Sequence, residues 1–187
     1  TAGVGGGSGR ATIRLGVGDG TVGAALFYAA ESGTSYSVTL GDLNGDGILD
    51  LVTAGGGGWA MIRLGAGNGT FGAALSYVMD GAVSRSVALG DLNGDGRSDV
   101  VVGEPYFGTT TPLVRGRVSI FHGNGAGLSL NGTREGQLSN NHFGYAVSAA
   151  GDMNGDGYGE LLVGAPGVTS GRGRVYAYRG GASGIEA

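Results

Sequence analysis

The chain has 187 residues, of which 45 are glycine, 3 are proline and none is cysteine, and all 11 of its basic residues are arginine. An apolar fraction of 41% with 14% charged residues is the reverse of a disordered composition. No three-residue glycine period suggests collagen, no cysteine can form a disulfide or a thiolate metal site, and no apolar run approaches the ~20 residues that span a bilayer. The net charge is −4, with the arginines dispersed along the chain, so the basic stripe of a nucleic-acid binder is not expected. No basic-then-apolar leader opens the sequence. What remains is a turn-dense, all-β chain.

Short β-prone runs recur in chain order. Residues 1–35 read as the trailing strands of a first, partial unit. The next unit, 36–84, predicts strands at Tyr36–Leu40, Leu49–Ala54, Ala60–Leu64 and Ala73–Val78, with hairpin chemistry at Gly67-Asn-Gly-Thr70. A further unit, 85–144, predicts Arg85–Leu89, Asp99–Gly103, Arg117–Phe121 and a weaker stretch near Leu128. The last, 145–187, predicts Tyr145–Ala150, Glu160–Gly164 and Arg174–Tyr178. No segment has helical periodicity.

The units are repeats of one another. Gly41-Asp-Leu-Asn-Gly-Asp-Gly47 returns at Gly90–Gly96 and, with methionine for leucine, at Gly151–Gly157. Ile13–Leu26 matches Ile62–Leu75, and Arg117-Val-Ser-Ile-Phe-His-Gly matches Arg174-Val-Tyr-Ala-Tyr-Arg-Gly. Four short strands in about 50 residues define a β-propeller blade, so the expected fold is a single domain of about three to three and a half blades. Closed rings need 4–8 blades. The chain is therefore expected to be a segment of a larger propeller, to complete blades with other copies, or to form an open stack.

Each repeated heptamer opens an acidic loop of the form Asp-x-Asn-x-Asp-Gly-x-x-Asp/Glu. Position 1 is Asp42, Asp91 and Asp152; position 3 is Asn44, Asn93 and Asn154; position 5 is Asp46, Asp95 and Asp156; position 9 is Asp50, Asp99 and Glu160. Ile48, Arg97 and Tyr158 at position 7 can each add a peptide carbonyl. Alternate oxygen donors on a tight loop, with glycine at position 6 to allow the turn, suit Ca²⁺ better than Mg²⁺. An EF-hand would need a bidentate Glu at position 12, where this chain has Thr53, Val102 and Val163. Three Ca²⁺ sites, at 42–50, 91–99 and 152–160, are expected on strand–loop–strand frames. The three loops hold nine acids and Arg97, so three bound Ca²⁺ would carry the net charge from −4 to +2.

The last unit carries Phe143-Gly144, Gly151–Pro166 and Gly173-Arg-Val-Tyr-Ala-Tyr178. It resembles the FG-GAP repeat of integrin α-subunit propellers. The earlier units, with Asn68-Gly-Thr-Phe-Gly72 and Ser86–Gly96, are similar to the related VCBS-type repeats. The resemblance implies a propeller whose loops join the innermost and second strands of each blade, and a role in extracellular or cell-surface adhesion or recognition. Gly-Ala-Pro is replaced by Thr53-Ala-Gly and Gly103-Glu-Pro105 in the earlier units, and ligand sites that need neighbouring blades do not carry over.

Other signals are weaker. Asn68 and Asn131 open Asn-Gly-Thr sequons, but Asn-Gly is first a turn former. His122 and His142 have no adjacent serine nucleophile, and acids outside the loops form no recognisable pair, so no catalytic site is expected. The glycine runs Gly5–Gly9 and Gly55–Gly58 read as inter-strand loops. Trp59, Tyr106, Phe107 and Tyr145 are candidates for packing or ligand stacking, and Glu104–Gly116 is the longest candidate recognition loop. The expected partners are a protein or glycan ligand, or further copies of the chain; neither nucleic acid nor a membrane span is expected. The alternative is an accessory propeller segment of a larger secreted enzyme whose catalytic residues lie elsewhere.

Overall fold

A computed structural model describes residues 9–29, 34–79, 83–108, 114–167 and 172–186. Those residues form antiparallel strands joined by turns, without helix. The partial first unit gives β1 (Arg10–Ile13) and β2 (Leu26–Ala29). The second gives β3 (Ser35–Gly41), β4 (Asp50–Gly55), β5 (Trp59–Arg63) and β6 (Leu75–Val78). The third gives β7 (Ser86–Gly90), β8 (Asp99–Glu104), β9 (Arg117–Asn124) and β10 (Gly127–Glu135). The fourth gives β11 (Ala146–Gly151), β12 (Glu160–Ala165) and β13 (Arg174–Tyr178).

Each unit is its own sheet, of two, four, four and three strands, with every strand paired to its sequence neighbour. Most expected strands fall within a residue or two of their positions. The exception is the weak stretch near Leu128, which is a nine-residue strand, β10. Its Gly-Leu-Ser-Leu-Asn-Gly-Thr run has poor β propensity, but β9 supplies partners from Asn124 back to Arg117, with a register shift between Leu130 and Gly132. Pairing overrides propensity there. The glycine stretch 55–58 is only partly a loop, because Gly55 ends β4 opposite Ser35 and Trp59.

The sheets pack face to face, with β7 against both β3 and β11. These first strands are therefore the inner ones, and each acidic loop joins an inner strand to the second. Register makes Val52, Val101 and Leu162 equivalent, and likewise Ile62, Ile120 and Ala177. One core layer sets Val52, Ala54, Ala60 and Ile62 against Val87, Val100, Val102 and Phe121. The next sets Val101, Val118 and Ile120 against Phe143, Leu161, Val163 and Ala165. Consecutive residues of β8 thus serve opposite layers. That is why its sequence is an unbroken apolar run and not an alternating one.

In the last sheet the equivalent face is uncovered. Val175, the counterpart of fully buried Val118, is 68% exposed. Position 2 of the loops follows the same rule. Leu43 and Leu92 are fully buried plugs between sheets, whereas Met153 is 59% exposed. No helix among the described residues is long and apolar enough to cross a membrane.

Candidate metal-binding loops

The first two loops share one hydrogen-bond pattern, and the third keeps most of it. Asp42 Oδ1 accepts the Gly45 and Asp46 N–H groups (2.7 and 3.2 Å), and its Oδ2 accepts Gly47 N–H (2.8 Å). Asp91 does the same for Gly94, Asp95 and Gly96, and Asp152 for Gly155, Asp156 and Gly157. Asn44 Oδ1 accepts Asp46 N–H and Asp46 Oδ1 accepts Ile48 N–H; the other loops repeat both bonds. This nest of N–H donors requires left-handed backbone at two positions, Gly45 (φ 79°) and Gly47 (φ 80°) in the first loop. The position-4 glycine was missed in the sequence reading, although it recurs as regularly as the position-6 glycine.

The position-9 acids sit deeper. Asp50 and Asp99 are fully buried. Asp50 Oδ2 accepts Leu43 N–H (2.9 Å) and Oδ1 accepts Gly65 N–H (2.8 Å), tying the loop to the far end of the third strand. Asp99 bonds Leu92 and Gly123 likewise. Glu160 reaches Met153 N–H with one oxygen and Asn154 Nδ2 with the other. Neighbouring loops are also linked: Ser98 N–H donates to Asp42 carbonyl and Gly159 N–H to Asp91 carbonyl. Arg97 Nε reaches Asn44 carbonyl at 3.3 Å.

Electrostatics differ with depth. Burial works to raise the Asp42 carboxyl, but the N–H bonds from Gly47, Gly45 and Asp46 outweigh it and hold the group below the ordinary carboxylate value. Burial wins at Asp99 and lifts it above that value, against the Gly123 and Leu92 N–H bonds. The Arg179 guanidinium, 2.8 Å from Asp156 Oδ2, holds Asp156 low.

The donor set of each loop fits a hard divalent cation in kind: three carboxylates, an amide oxygen and a peptide carbonyl, all oxygen. The carboxylate oxygens are turned toward backbone N–H groups, and among the described residues no three His, Asp or Glu side chains are gathered as a ready-made metal cluster. An oxygen accepting one N–H keeps a second lone pair for a metal.

Elsewhere, Asn68 Oδ1 accepts from Thr70 N–H and Oγ1, closing its hairpin, and Asn131 Nδ2 donates to Ser183 carbonyl. Both sequon asparagines therefore have turn or bulge roles. His122 lies in β9 with Nε2 buried and without a partner, and His142 Nδ1 is 3.3 Å from Pro105 carbonyl. Tyr106 stacks edge-on against His142, and Phe107 lies under the Arg117 guanidinium. The tip of the candidate recognition loop, residues 109–113, is outside the described residues, as are residues 5–8 of the first glycine run.

Two four-stranded sheets and a three-stranded one, packed about their first strands with an acidic loop after each and preceded by a two-stranded sheet, define an incomplete β-propeller. The chain belongs to the FG-GAP repeat family. Residues 3–53 and 42–102 match the FG-GAP-like repeat model, and residues 143–178 match the FG-GAP repeat. It is 41% identical over 92 residues to integrin alpha-6 of Gallus gallus, covering 46% of this chain and 8% of that protein. It is 50% identical over 48 residues to integrin alpha-PS2 of Drosophila melanogaster, covering 25% of this chain and 3% of that protein. The chain thus spans under a tenth of these relatives. A Bacillus licheniformis rhamnogalacturonan lyase shares the fold, with a TM-score of 0.53 at 12% identity, over 96% of this chain and 41% of the lyase.

Proposed function

We propose that this chain is a non-enzymatic, calcium-binding propeller module that acts outside the cell or at its surface in adhesion, assembly or ligand recognition. The observation that carries the reading is the threefold recurrence of one loop whose only side-chain donors are oxygens. Asp42, Asn44, Asp46, the Ile48 carbonyl and Asp50 would hold the first ion. Asp91, Asn93, Asp95, the Arg97 carbonyl and Asp99 would hold the second. Asp152, Asn154, Asp156, the Tyr158 carbonyl and Glu160 would hold the third. Bound calcium supplies positive charge that offsets carboxylate repulsion along one edge of the sheets.

The protein groups do the rest. The glycine-rich turn presents the oxygens, and in the first two loops the buried acids Asp50 and Asp99 also tie the loop to Gly65 and Gly123 at the end of the third strand. Units 36–84, 85–144 and 145–187 each hold one loop, so each blade carries its own staple. Because an ion bound only by the folded state adds RT ln(1 + [L]/Kd), calcium at a hundredfold excess over Kd adds about 2.7 kcal/mol per site. The test is calorimetric titration with Ca²⁺ and Mg²⁺, together with melting in calcium and in chelator. Calcium-selective binding and a melting temperature lowered by chelation are expected. Identical melting in both buffers and no binding heat would overturn the reading.

A further inference from the structure

The three acidic loops lie side by side, because β7 packs against β3 on one side and β11 on the other, and each loop leaves the same end of its inner strand. Two backbone hydrogen bonds join them. Ser98 N–H donates to the Asp42 carbonyl at 2.7 Å, and Gly159 N–H donates to the Asp91 carbonyl at 2.8 Å. The donor is position 8 of one loop and the acceptor is position 1 of the loop before it, both times.

Each donor N–H shares its peptide with position 7, the residue whose carbonyl is a proposed ligand. Arg97 C=O and Ser98 N–H are two ends of one planar amide, as are Tyr158 C=O and Gly159 N–H. In a trans peptide those ends point in opposite directions, so the carbonyl faces away from the preceding loop while the N–H faces into it. The acceptors are also central. Asp42 and Asp91 are the acids whose carboxylates gather N–H groups of their own loops. Each link therefore runs from a ligand position of one loop to the organising acid of the loop before.

The junctions leave little room to slip. Arg97 lies over Gly45 and Tyr158 over Gly94; a Cβ at these glycines would stand 3.1 Å from Arg97 Nε and 3.0 Å from Tyr158 Cε1. At the end of β9, Gly123 is wedged between the Leu43 carbonyl of the first loop and the Ser98 carbonyl of the second, where a Cβ would meet them at 2.5 and 2.6 Å. Gly180, just past β13, fits between the Leu92 and Gly159 carbonyls in the same way. Backbone meets backbone at both junctions.

We propose that the loops bind calcium as a coupled row, in which order in one loop tightens its neighbours through these shared peptides. The proposal rests on the calcium reading above and adds how the sites regulate one another. A fixed Arg97 carbonyl sets the plane of the Arg97–Ser98 peptide and polarises its N–H. That N–H holds the Asp42 backbone where its carboxylate organises the first loop. Linkage is reciprocal, so order in the first loop favours the second by the same factor.

The experiment is a calcium titration of the ¹⁵N-labelled full chain followed by NMR. Gly47, Gly96 and Gly157 N–H each donate to the position-1 acid of their own loop, so their signals read the three sites separately. Asp95→Asn removes one proposed ligand of the second loop and keeps an oxygen to accept Arg97 N–H. It should raise the calcium midpoints of Gly47 and Gly157 about fivefold, at the lower end of the usual range for coupled sites. Asp46→Asn should raise the Gly96 midpoint by the same factor and move Gly157 less, because two links intervene. These shifts should persist in 1 M potassium chloride, where the Debye length is about 3 Å and through-space charge is screened. Dispersed calcium-free spectra identify variants that keep the fold. Midpoints that move only in the mutated loop, or neighbour shifts that vanish in high salt, overturn the proposal and leave the calcium reading standing. If none of the three glycine signals responds to calcium, the calcium reading falls and the coupling with it.

Discussion

Asp50 has two roles that can be separated, one as a brace and one as a proposed metal ligand. Asp50→Asn keeps the shape but sets an amide NH₂ against either the Leu43 or the Gly65 N–H, both of which the carboxylate now accepts at 2.9 and 2.8 Å. One bond is lost, the other loses its charge, and donors are left unpaired at a fully buried site. Hydrogen bonds to charged groups contribute about 1.5–3 kcal/mol each and a buried orphan costs about 1–3 kcal/mol, so a total near 3 kcal/mol is expected. In a chain of this length that corresponds to a melting temperature lower by about 6–12 °C. The control is Asp46→Asn. Asp46 is exposed, and an amide oxygen can still accept Ile48 N–H, so the cost without metal should stay below about 1 kcal/mol. Scanning calorimetry of both variants in chelator reads the brace alone. The brace argument fails if Asp50→Asn melts with the native chain there, or if Asp46→Asn is equally damaged. In calcium, Asp46→Asn should lose most of its metal-dependent stabilisation.

Arg117→Met removes the cation paired with fully buried Glu104; a loss of about 3–5 kcal/mol is expected in urea denaturation, and a loss below about 1 kcal/mol would contradict it. Gly103→Ala drives a methyl into the Gly144 carbonyl and Ser86 Oγ, whereas at the equivalent Gly164 the nearest atom is Ala146 Cβ at 3.6 Å. The first should destabilise by about 3 kcal/mol and the second change stability by no more than about 1 kcal/mol; matching effects would refute the covered-versus-open distinction. The Asp19 carboxyl is held below its ordinary 3.8 by Thr21 Oγ1 and N–H. Its folded value being depressed, its contribution to the β1–β2 hairpin is present above the unfolded carboxyl pKa and is lost as pH falls through the lower folded one. An NMR titration giving an ordinary or raised Asp19 value would refute this.

The repeat length, the strand–loop–strand order and the loop residues were legible because they depend on local chemistry. Glycine at left-handed turns, Asp and Asn that cap nearby N–H groups, and apolar runs of strand length all act within a few residues. The strand β10 was underread because its glycines and Asn131 disfavour a strand and only β9 holds it there. Asp50 and Asp99 were recognisable as loop acids but not as braces, since Gly65, just past β5, and Gly123, within β9, lie 15 and 24 residues away along the chain. By itself, then, the sequence determined the blade, its family and the acidic loop, each encoded within one repeat. Tertiary structure alone decided which identical positions are buried or bare, as with Val118 and Val175, and which charges share an end of the sheets. Those properties depend on what packs against a blade and on strand direction, and neither is written in the repeat.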